Sequence, residues 1–142
     1  MDNLLAKRAL LIAALVIYVL AVAYITLLSR DATLAVIELD PIASYRRAAN
    51  AARHLAIIEV RNLVLNTAMF MPLGIFLPLL STRLRQFRIV LPIALLASLA
   101  IETTQLATRR GVFSIEDILH NTLGAALGLT LYLAAAKIFK KS

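Results

Sequence analysis

Cysteine is absent from the sequence, and its absence excludes disulfide bonds and thiolate chemistry without identifying a cellular compartment. Charge is absent from two long segments, residues 9–29 and residues 62–82. The alternation of apolar and polar residues that marks the strands of membrane barrels is absent as well. A helical bundle in water needs a polar face on each helix, and the first uncharged segment has none. These absences disfavour both a β-barrel and a soluble helical core.

Apolar residues are correspondingly abundant. They make up 61% of the 142 residues, and the mean hydropathy is +0.85, whereas an ordinary soluble domain is about 45–50% apolar. The excess forms four runs, each with about the 20 residues that a helix needs to cross a hydrocarbon core of about 30 Å. Because backbone groups in lipid must pair within the protein, we predict an all-α integral membrane bundle of four transmembrane helices. We expect a single domain, 1–142, with spans at about 9–29, 62–82, 89–108 and 117–137 and an outer loop at 30–61.

The N-terminal run shares some features with a signal peptide. Lys7 and Arg8 precede it, and residues 21–23 (Ala-Val-Ala) resemble a cleavage site. The apolar run continues through Leu28, however, and three more spans follow. We therefore expect a retained first helix.

Net charge and its distribution bear on topology. The formal net charge of +7 reports the orientation of the chain, attraction to anionic lipid headgroups, or both. Nucleic acid is a poor alternative partner, because the basic residues flank the spans and form no continuous basic element. Four spans put both termini on one side of the membrane. The short connection at residues 82–88 contains Arg83, Arg85 and Arg88, and short basic loops mark the cytoplasmic side, so we expect both termini in the cytoplasm.

Irregular structure is expected in the long connection and in the second span. Residues 45–60 carry apolar residues at helical spacing, which favours either an amphipathic helix on the outer membrane surface or an ordinary solvated loop helix. Residues 39–42 (Leu-Asp-Pro-Ile) predict a turn, since Pro41 biases Asp40 away from α geometry. Pro72 removes a backbone donor from the second span, so we expect a kink at residues 70–74.

Polar residues inside the spans recur at helical spacings and lie toward the outer end of the predicted bundle. Glu102 is the least expected of them, because an ionised acid in a span is costly unless it faces a partner or water. In a purely structural role, Glu102 would form an ion pair with Arg109 or Arg110 that holds the helices of the bundle together. Three stripes follow from the spacing: Ser98, Glu102, Gln105 and Arg109; Asp117, Asn121, Gly124 and Gly128; and Asn62 with Asn66.

Other members of these stripes also have structural interpretations. Asp117 stands at capping-box spacing from Ser114 and would then be a helix-start acid. Asn62 would be an N-terminal cap. The GxxxG pattern of Gly124 and Gly128 permits the close approach of a neighbouring helix.

The segments around these residues resemble the VanZ family of bacterial membrane proteins. The matching segments are 62–74 (NLVLNTAMFMPLG), 98–105 (SLAIETTQ) and 116–124 (EDILHNTLG), and residues 39–42 (LDPI) match a short loop motif. The resemblance covers about residues 30–132. It implies a small helical protein of the bacterial plasma membrane, and the named member of the family is associated with resistance to teicoplanin. Roles implied by the resemblance attach to the motif positions: Asn62, Asn66, Phe70, Pro72, Gly74, Glu102, Gln105, Arg109, Arg110, Asp117, Asn121 and Gly124.

Three functions fit these patterns. The first is binding of an envelope lipid, a cell-wall precursor or a glycopeptide-related ligand in a cavity that opens outward between the second, third and fourth spans. Arginines, Arg30 and Arg61 among them, would bind phosphate there, and amides would bind sugar or peptide groups. The second is an intramembrane enzyme in which Glu102, Asp117 and His120 supply acid–base chemistry, although His120 is also typical of an interfacial position. The third is a structural or assembly protein.

The resulting expectations are specific. The catalytic residues are unknown, and we expect no cofactor and no metal, because His120 with two carboxylates is a weak ligand set. Membrane lipids are the expected partners, together with a lipid-linked cell-wall precursor, and an oligomer would form through the face of Gly124 and Gly128. The candidate ligand-binding residues are Asn62, Asn66, Glu102, Gln105, Arg109, Arg110, Asp117 and Asn121, and the structural candidates are Pro72, Gly74, Gly124 and Gly128.

Overall fold

The part of the chain that the structure describes forms five α-helices and two very short strands. The computed structural model describes residues 2–28, 34–50 and 53–139. The helices are α1 (Asp2–Ala23), which continues as a π-helix (Tyr24–Leu28), α2 (Ala43–Asn50), α3 (Arg53–Leu80), α4 (Phe87–Thr108) and α5 (Ile115–Phe139). A 3₁₀ turn (Thr82–Leu84) joins α3 to α4, and the strands are β1 (Val36–Glu38) and β2 (Val112–Ser114).

Four of the helices are long and apolar enough to cross a membrane, which confirms the predicted all-α bundle of four spans. Their apolar segments are Leu5–Leu28, Ala56–Leu80, Phe87–Thr108 and Ile115–Phe139. Many of their large apolar side chains are exposed on the outside of the bundle, as expected where the surrounding solvent is lipid. The chain is therefore a membrane protein.

The centre of the bundle is the contact between α3 and α5, which is made by glycines. A Cβ atom on Gly74 would overlap the carbonyl oxygen of Ala125, one on Gly124 would overlap that of Thr67, and one on Gly128 would overlap that of Met71. The two backbones therefore touch directly, as small residues permit in membranes. The face of Gly124 and Gly128 is occupied by α3 of the same chain. This face is therefore not free to form the oligomer expected there.

A hydrogen bond from the Tyr18 hydroxyl attaches α1 to α3 close to Pro72. Tyr18 donates to the carbonyl of Met69 (2.8 Å), and its hydroxyl also contacts the N–H of Leu73. These two backbone groups would bond each other in a regular helix. The helix α3 continues through Pro72 and Pro78, and the kink expected at residues 70–74 stays a prediction.

The connection between α1 and α3 is folded against the start of α5. Strand β1 pairs in parallel with β2, with Glu38 opposite Ser114. The predicted turn at residues 39–42 is present, with Asp40 Oδ1 accepting the N–H of Ile42 (3.1 Å). A helix exists in this connection, but it ends at Asn50, and the residues from Arg53 onward belong to the same helix as the second span. The prediction that Asn62 caps a helix is therefore wrong, because Asn62 lies inside α3.

Candidate functional site

A polar cleft opens at one end of the bundle. It has a volume of about 860 Å³ and is lined by the π-helix, β1, α2, the N-terminal part of α3 and the segment from Arg110 to the start of α5. No residue of α4 itself lines it, whereas the sequence predicted a cavity among the second, third and fourth spans. The polar side chains of the lining are those of Thr26, Glu38, Ser44, Arg47, Glu59, Asn62, Asn66, Arg110, Ser114 and Asp117.

Four of the eight ligand-binding candidates line this cleft. They are Asn62 and Asn66, one turn apart on α3, together with Arg110 and Asp117. Arg109 is exposed and ends α4 in the left-handed conformation, with φ at 56°, while its N–H bonds the last turn of the helix. The remaining three candidates, Glu102, Gln105 and Asn121, are almost fully buried in the wall of the bundle.

Glu102 holds the start of α5. Its side chain is 2% exposed, and its Oε2 atom accepts the backbone N–H of Ser114 (2.8 Å). Ser114 Oγ in turn accepts the N–H of Asp117 (3.3 Å), so the capping interaction predicted for residues 114–117 is present. In a full capping box the acid of the helix itself would bond the Ser114 N–H, and here Glu102 makes that bond from another helix. Asp117 lines the cleft.

A second buried acid, Glu116, holds the start of α2. Its Oε2 atom accepts the N–H of Ser44 (2.9 Å), which belongs to the first turn of that helix. Carboxylates are favoured at helix N-termini because the first N–H groups have no partner within the helix. The next turn of α5 adds His120, whose Nδ1 donates to the Glu116 carbonyl (2.8 Å) and whose Nε2 bonds the hydroxyl of Tyr45 (2.7 Å). Sequence reasoning missed Glu116, and its spacing of four from His120 was the available signal.

The backbone carbonyl groups at the end of the first span accept hydrogen bonds from side chains in the last turn of α4 and just after this helix. Gln105 Nε2 donates to the carbonyl of Thr26 (2.9 Å), and Arg110 donates to those of Leu27 (3.5 Å) and Leu28 (3.2 Å). A cation near the C-terminal carbonyls of a helix is also favoured by the helix dipole. Arg110 thereby joins the first span to the rim of the cleft.

An ion-pair network forms the opposite side of the cleft. Arg47 of α2 bonds both carboxylate oxygens of Glu38 (2.8 and 2.9 Å) and one of Glu59 (3.1 Å). Partial burial opposes the charge of the guanidinium, but the hydrogen bonds and the attraction of the two acids outweigh it and raise the pKa of Arg47. The network ties α2 to β1 and α3. No spacing rule links these three residues, and the sequence analysis did not select them.

Three buried acceptor atoms have no hydrogen-bond partner in the part of the chain that the structure describes: Gln105 Oε1, Glu116 Oε1 and Asn121 Oδ1. Gln105 Oε1 lies directly behind Gly111, because a Cβ atom built there would be 3.1 Å away. Asn121 uses its amide nitrogen to bond Ser98 Oγ (2.8 Å), which links α5 to α4. Among the described residues, the buried side-chain atoms without a partner are therefore all acceptors.

The three residues of the enzyme hypothesis do not meet at the cleft. Of Glu102, Asp117 and His120, the cleft is lined by Asp117 alone. Glu102 bonds a backbone N–H, and His120 bonds Tyr45 and a carbonyl group. Within residues 2–28, 34–50 and 53–139, no three His, Asp or Glu side chains come together as a metal-ligand set. Arg30 lies outside the described residues.

The fold and the cleft define a class: a small polytopic membrane protein with apolar spans and a polar pocket at one end of the bundle. Within that class, the chain belongs to the VanZ/LLP1 family, whose model matches residues 15–139. The matched segment includes most of the first span, the three other spans and every residue of the cleft. No curated protein and no solved structure matches the chain.

Proposed function

We propose that this protein binds an envelope lipid, a cell-wall precursor or a glycopeptide-related ligand in the cleft, and that it contributes to teicoplanin resistance in the bacterial plasma membrane. The observation that carries the proposal is the cleft itself. Its volume of about 860 Å³ lies within the range of about 300–1,000 Å³ that is typical of small-molecule sites. Two amides, two guanidinium groups and three carboxylates line it, so it offers polar groups of every type to a ligand.

The two arginines of the lining differ in how far their charge is already paired within the protein. Arg47 is engaged by Glu38 and Glu59, whereas the hydrogen bonds of Arg110 go to backbone carbonyls, which carry no net charge. A guanidinium group binds phosphate or carboxylate through two parallel hydrogen bonds. Arg110 is therefore the anion-binding group of the site, and Asn62 and Asn66 provide amides for the rest of the ligand.

The test is teicoplanin susceptibility in a sensitive bacterium that expresses the protein. We expect the unsubstituted protein to raise the minimal inhibitory concentration and Asn66→Ala and Arg110→Gln to lower this protection. Thr104→Ala is the matched control, because Thr104 is exposed on α4 and bonds only a carbonyl of its own helix. All variants are compared at equal membrane levels.

The outcomes separate the parts of the proposal. Equal protection by the cleft variants and the control would contradict a role of the cleft in resistance. Absence of protection by the unsubstituted protein would remove the resistance function. Lipids that co-purify with the protein but not with Asn66→Ala or Arg110→Gln would still support binding in the cleft.

A further inference from the structure

A second, apolar cavity lies below the cleft. We call it the groove; it has a volume of about 180 Å³ and lies between α1, α3 and α4. Val19 and Val22 of α1, Phe70 and Leu73 of α3 and Ala97 of α4 are among the residues that line it. Apart from the hydroxyl of Tyr18, its side chains are apolar. An open groove of this kind in a bilayer is filled by hydrocarbon, because water finds no polar partners there.

The groove and the cleft are adjacent on two helices. On α1, Val22 of the groove is one turn from Thr26 of the cleft, and the Thr26 hydroxyl bonds the Val22 carbonyl (2.7 Å). On α3, Asn66 of the cleft stands four residues before Phe70 of the groove. Residues four apart lie one above the other on a helix. Both walls therefore change from polar to apolar within a single turn.

The groove is open to the surrounding lipid. Val19 is 50% exposed, although the other groove residues of α1 and α3 turn toward the bundle. The strand and turn above the cleft add further exposed apolar side chains, including Ile37, Leu39 and Ile42. Exposed apolar groups of this kind, next to a membrane span, are typical of the membrane interface rather than of water.

We propose that the ligand is a phospholipid taken laterally from the bilayer, with its headgroup in the cleft and one acyl chain in the groove. The inference rests on the proposed binding function of the cleft and names the class of ligand. The phosphate lies against Arg110, and the chain follows the line from Asn66 to Phe70. A ligand without a hydrocarbon chain would leave the groove unused.

The lining of the cleft also selects among headgroups. The carboxylates of Glu38, Glu59 and Asp117 only accept hydrogen bonds when ionised. An ionised carboxylate has about four acceptor sites, so the bonds that Glu38 and Glu59 accept from Arg47 leave further sites for a ligand. A headgroup that carries N–H or O–H donors adds hydrogen bonds there, whereas the trimethylammonium group of phosphatidylcholine has no donor. The site therefore prefers phosphatidylethanolamine or phosphatidylglycerol to phosphatidylcholine by about fivefold, which is what one net hydrogen bond contributes to affinity.

The absence of tryptophan allows a direct test, because a single introduced Trp is the only indole in the chain. Val19→Trp places it in the groove, and Ile101→Trp places a second reporter on the facing wall. Leu99→Trp is the control, since Leu99 is exposed, does not line the groove and stands as far from the end of its span as Val19 does. Each variant is reconstituted in phosphatidylcholine bilayers with a minor fraction of brominated-chain phosphatidylethanolamine, phosphatidylglycerol or phosphatidylcholine, and quenching of Trp fluorescence is measured.

We expect both groove reporters to be quenched more than Leu99→Trp by the phosphatidylethanolamine or the phosphatidylglycerol probe, with about fivefold enrichment over the bulk lipid composition. Brominated phosphatidylcholine should give no excess. The probe that gives the larger excess identifies an amine or a hydroxyl as the preferred donor. Equal quenching at the groove and control positions with every probe overturns the inference.

A second set of variants tests the link between groove and cleft. Arg110→Gln and Asn66→Leu, each combined with Val19→Trp, should reduce the excess quenching to the level of the control. An excess that persists unchanged in both would show a groove that binds chains independently of the cleft, and would overturn the proposal. A third outcome separates this inference from the proposed function. If Val19→Trp alone shows no excess quenching but the cleft variants lose teicoplanin protection, this inference is contradicted and the proposed function stays in place.

Discussion

At the scale of single residues, two buried acids of the α4–α5 region bond backbone N–H groups at helix starts. Glu102 bonds the N–H of Ser114, which directly precedes α5, and Glu116 bonds the N–H of Ser44 in α2. An acid inside a membrane span usually indicates a pathway or a ligand site. Here each acid also has a structural use, because the first N–H groups of a helix have no partner within that helix and need other acceptors. The acids therefore fix the position of the residues that line the cleft.

Glu102 can be tested by comparing two substitutions. Glu102→Gln keeps an amide oxygen that can accept the Ser114 N–H, whereas Glu102→Ala leaves that donor buried without a partner, at a cost of about 1–3 kcal/mol. We expect Glu102→Ala to lower the melting temperature in detergent and Glu102→Gln to remain close to the unsubstituted protein. If both melt alike, the bond to Ser114 does not stabilise the fold. A Glu102→Gln protein that melts normally but loses teicoplanin protection would show that the carboxyl group itself is needed.

At the scale of elements, α3 and α5 act as the frame that supports the cleft. Asn62, Asn66 and Asp117 are carried by these two helices, and the distance between the helices is set by backbone contact at Gly74, Gly124 and Gly128. A change in this contact would move both walls of the cleft. Small residues at helical spacing therefore matter here for the position of polar groups as well as for stability.

Adding a methyl group at this contact should separate the helices. In Gly124→Ala the new Cβ atom meets the carbonyl oxygen of Thr67, which belongs to the backbone and cannot rotate away. We expect a loss of about 1–3 kcal/mol, which is the usual cost of overpacking, measured as a lower melting temperature and a lower membrane yield. Ala135→Leu is the control, because Ala135 is exposed on the same helix. Equal stability of the two variants would contradict the close contact.

The same elements show what the sequence could reveal. Gly124 and Gly128 were predictable as an inward stripe, because small residues at helical spacing in a span have few other uses. Asn66 and Asp117 were predictable as a cluster, because polar residues in apolar runs stand out. The pairing of β1 with β2 was not predictable, since three-residue strands carry no periodicity. Arg47 was missed for a related reason: its partners Glu38 and Glu59 are distant in the sequence, and charges in a loop are ordinarily solvated.

At the scale of the whole molecule, the position of polar groups gives the bundle two different ends. The cleft, α2 and both strands lie at one end, and the 3₁₀ turn of Thr82–Leu84 lies at the other. The turn and the residues after it contain Arg83, Arg85 and Arg88, and short basic connections remain on the cytoplasmic side of bacterial membranes. We therefore expect the cleft to face outward, which is the arrangement that an envelope ligand requires.

The orientation can be measured directly because the chain has no cysteine. Asn50→Cys places a thiol at the exposed end of α2, and Thr82→Cys places one at the opposite end of the bundle. In intact cells, a membrane-impermeant maleimide should label Asn50→Cys and should label Thr82→Cys only after the cells are opened. The reverse pattern would put the cleft in the cytoplasm, where it could not meet an antibiotic outside the cell, and the resistance function would then fail for a geometric reason. Labelling of both positions in intact cells would contradict a single orientation, whereas the expected pattern places the cleft where lipids, cell-wall precursors and glycopeptides are all accessible.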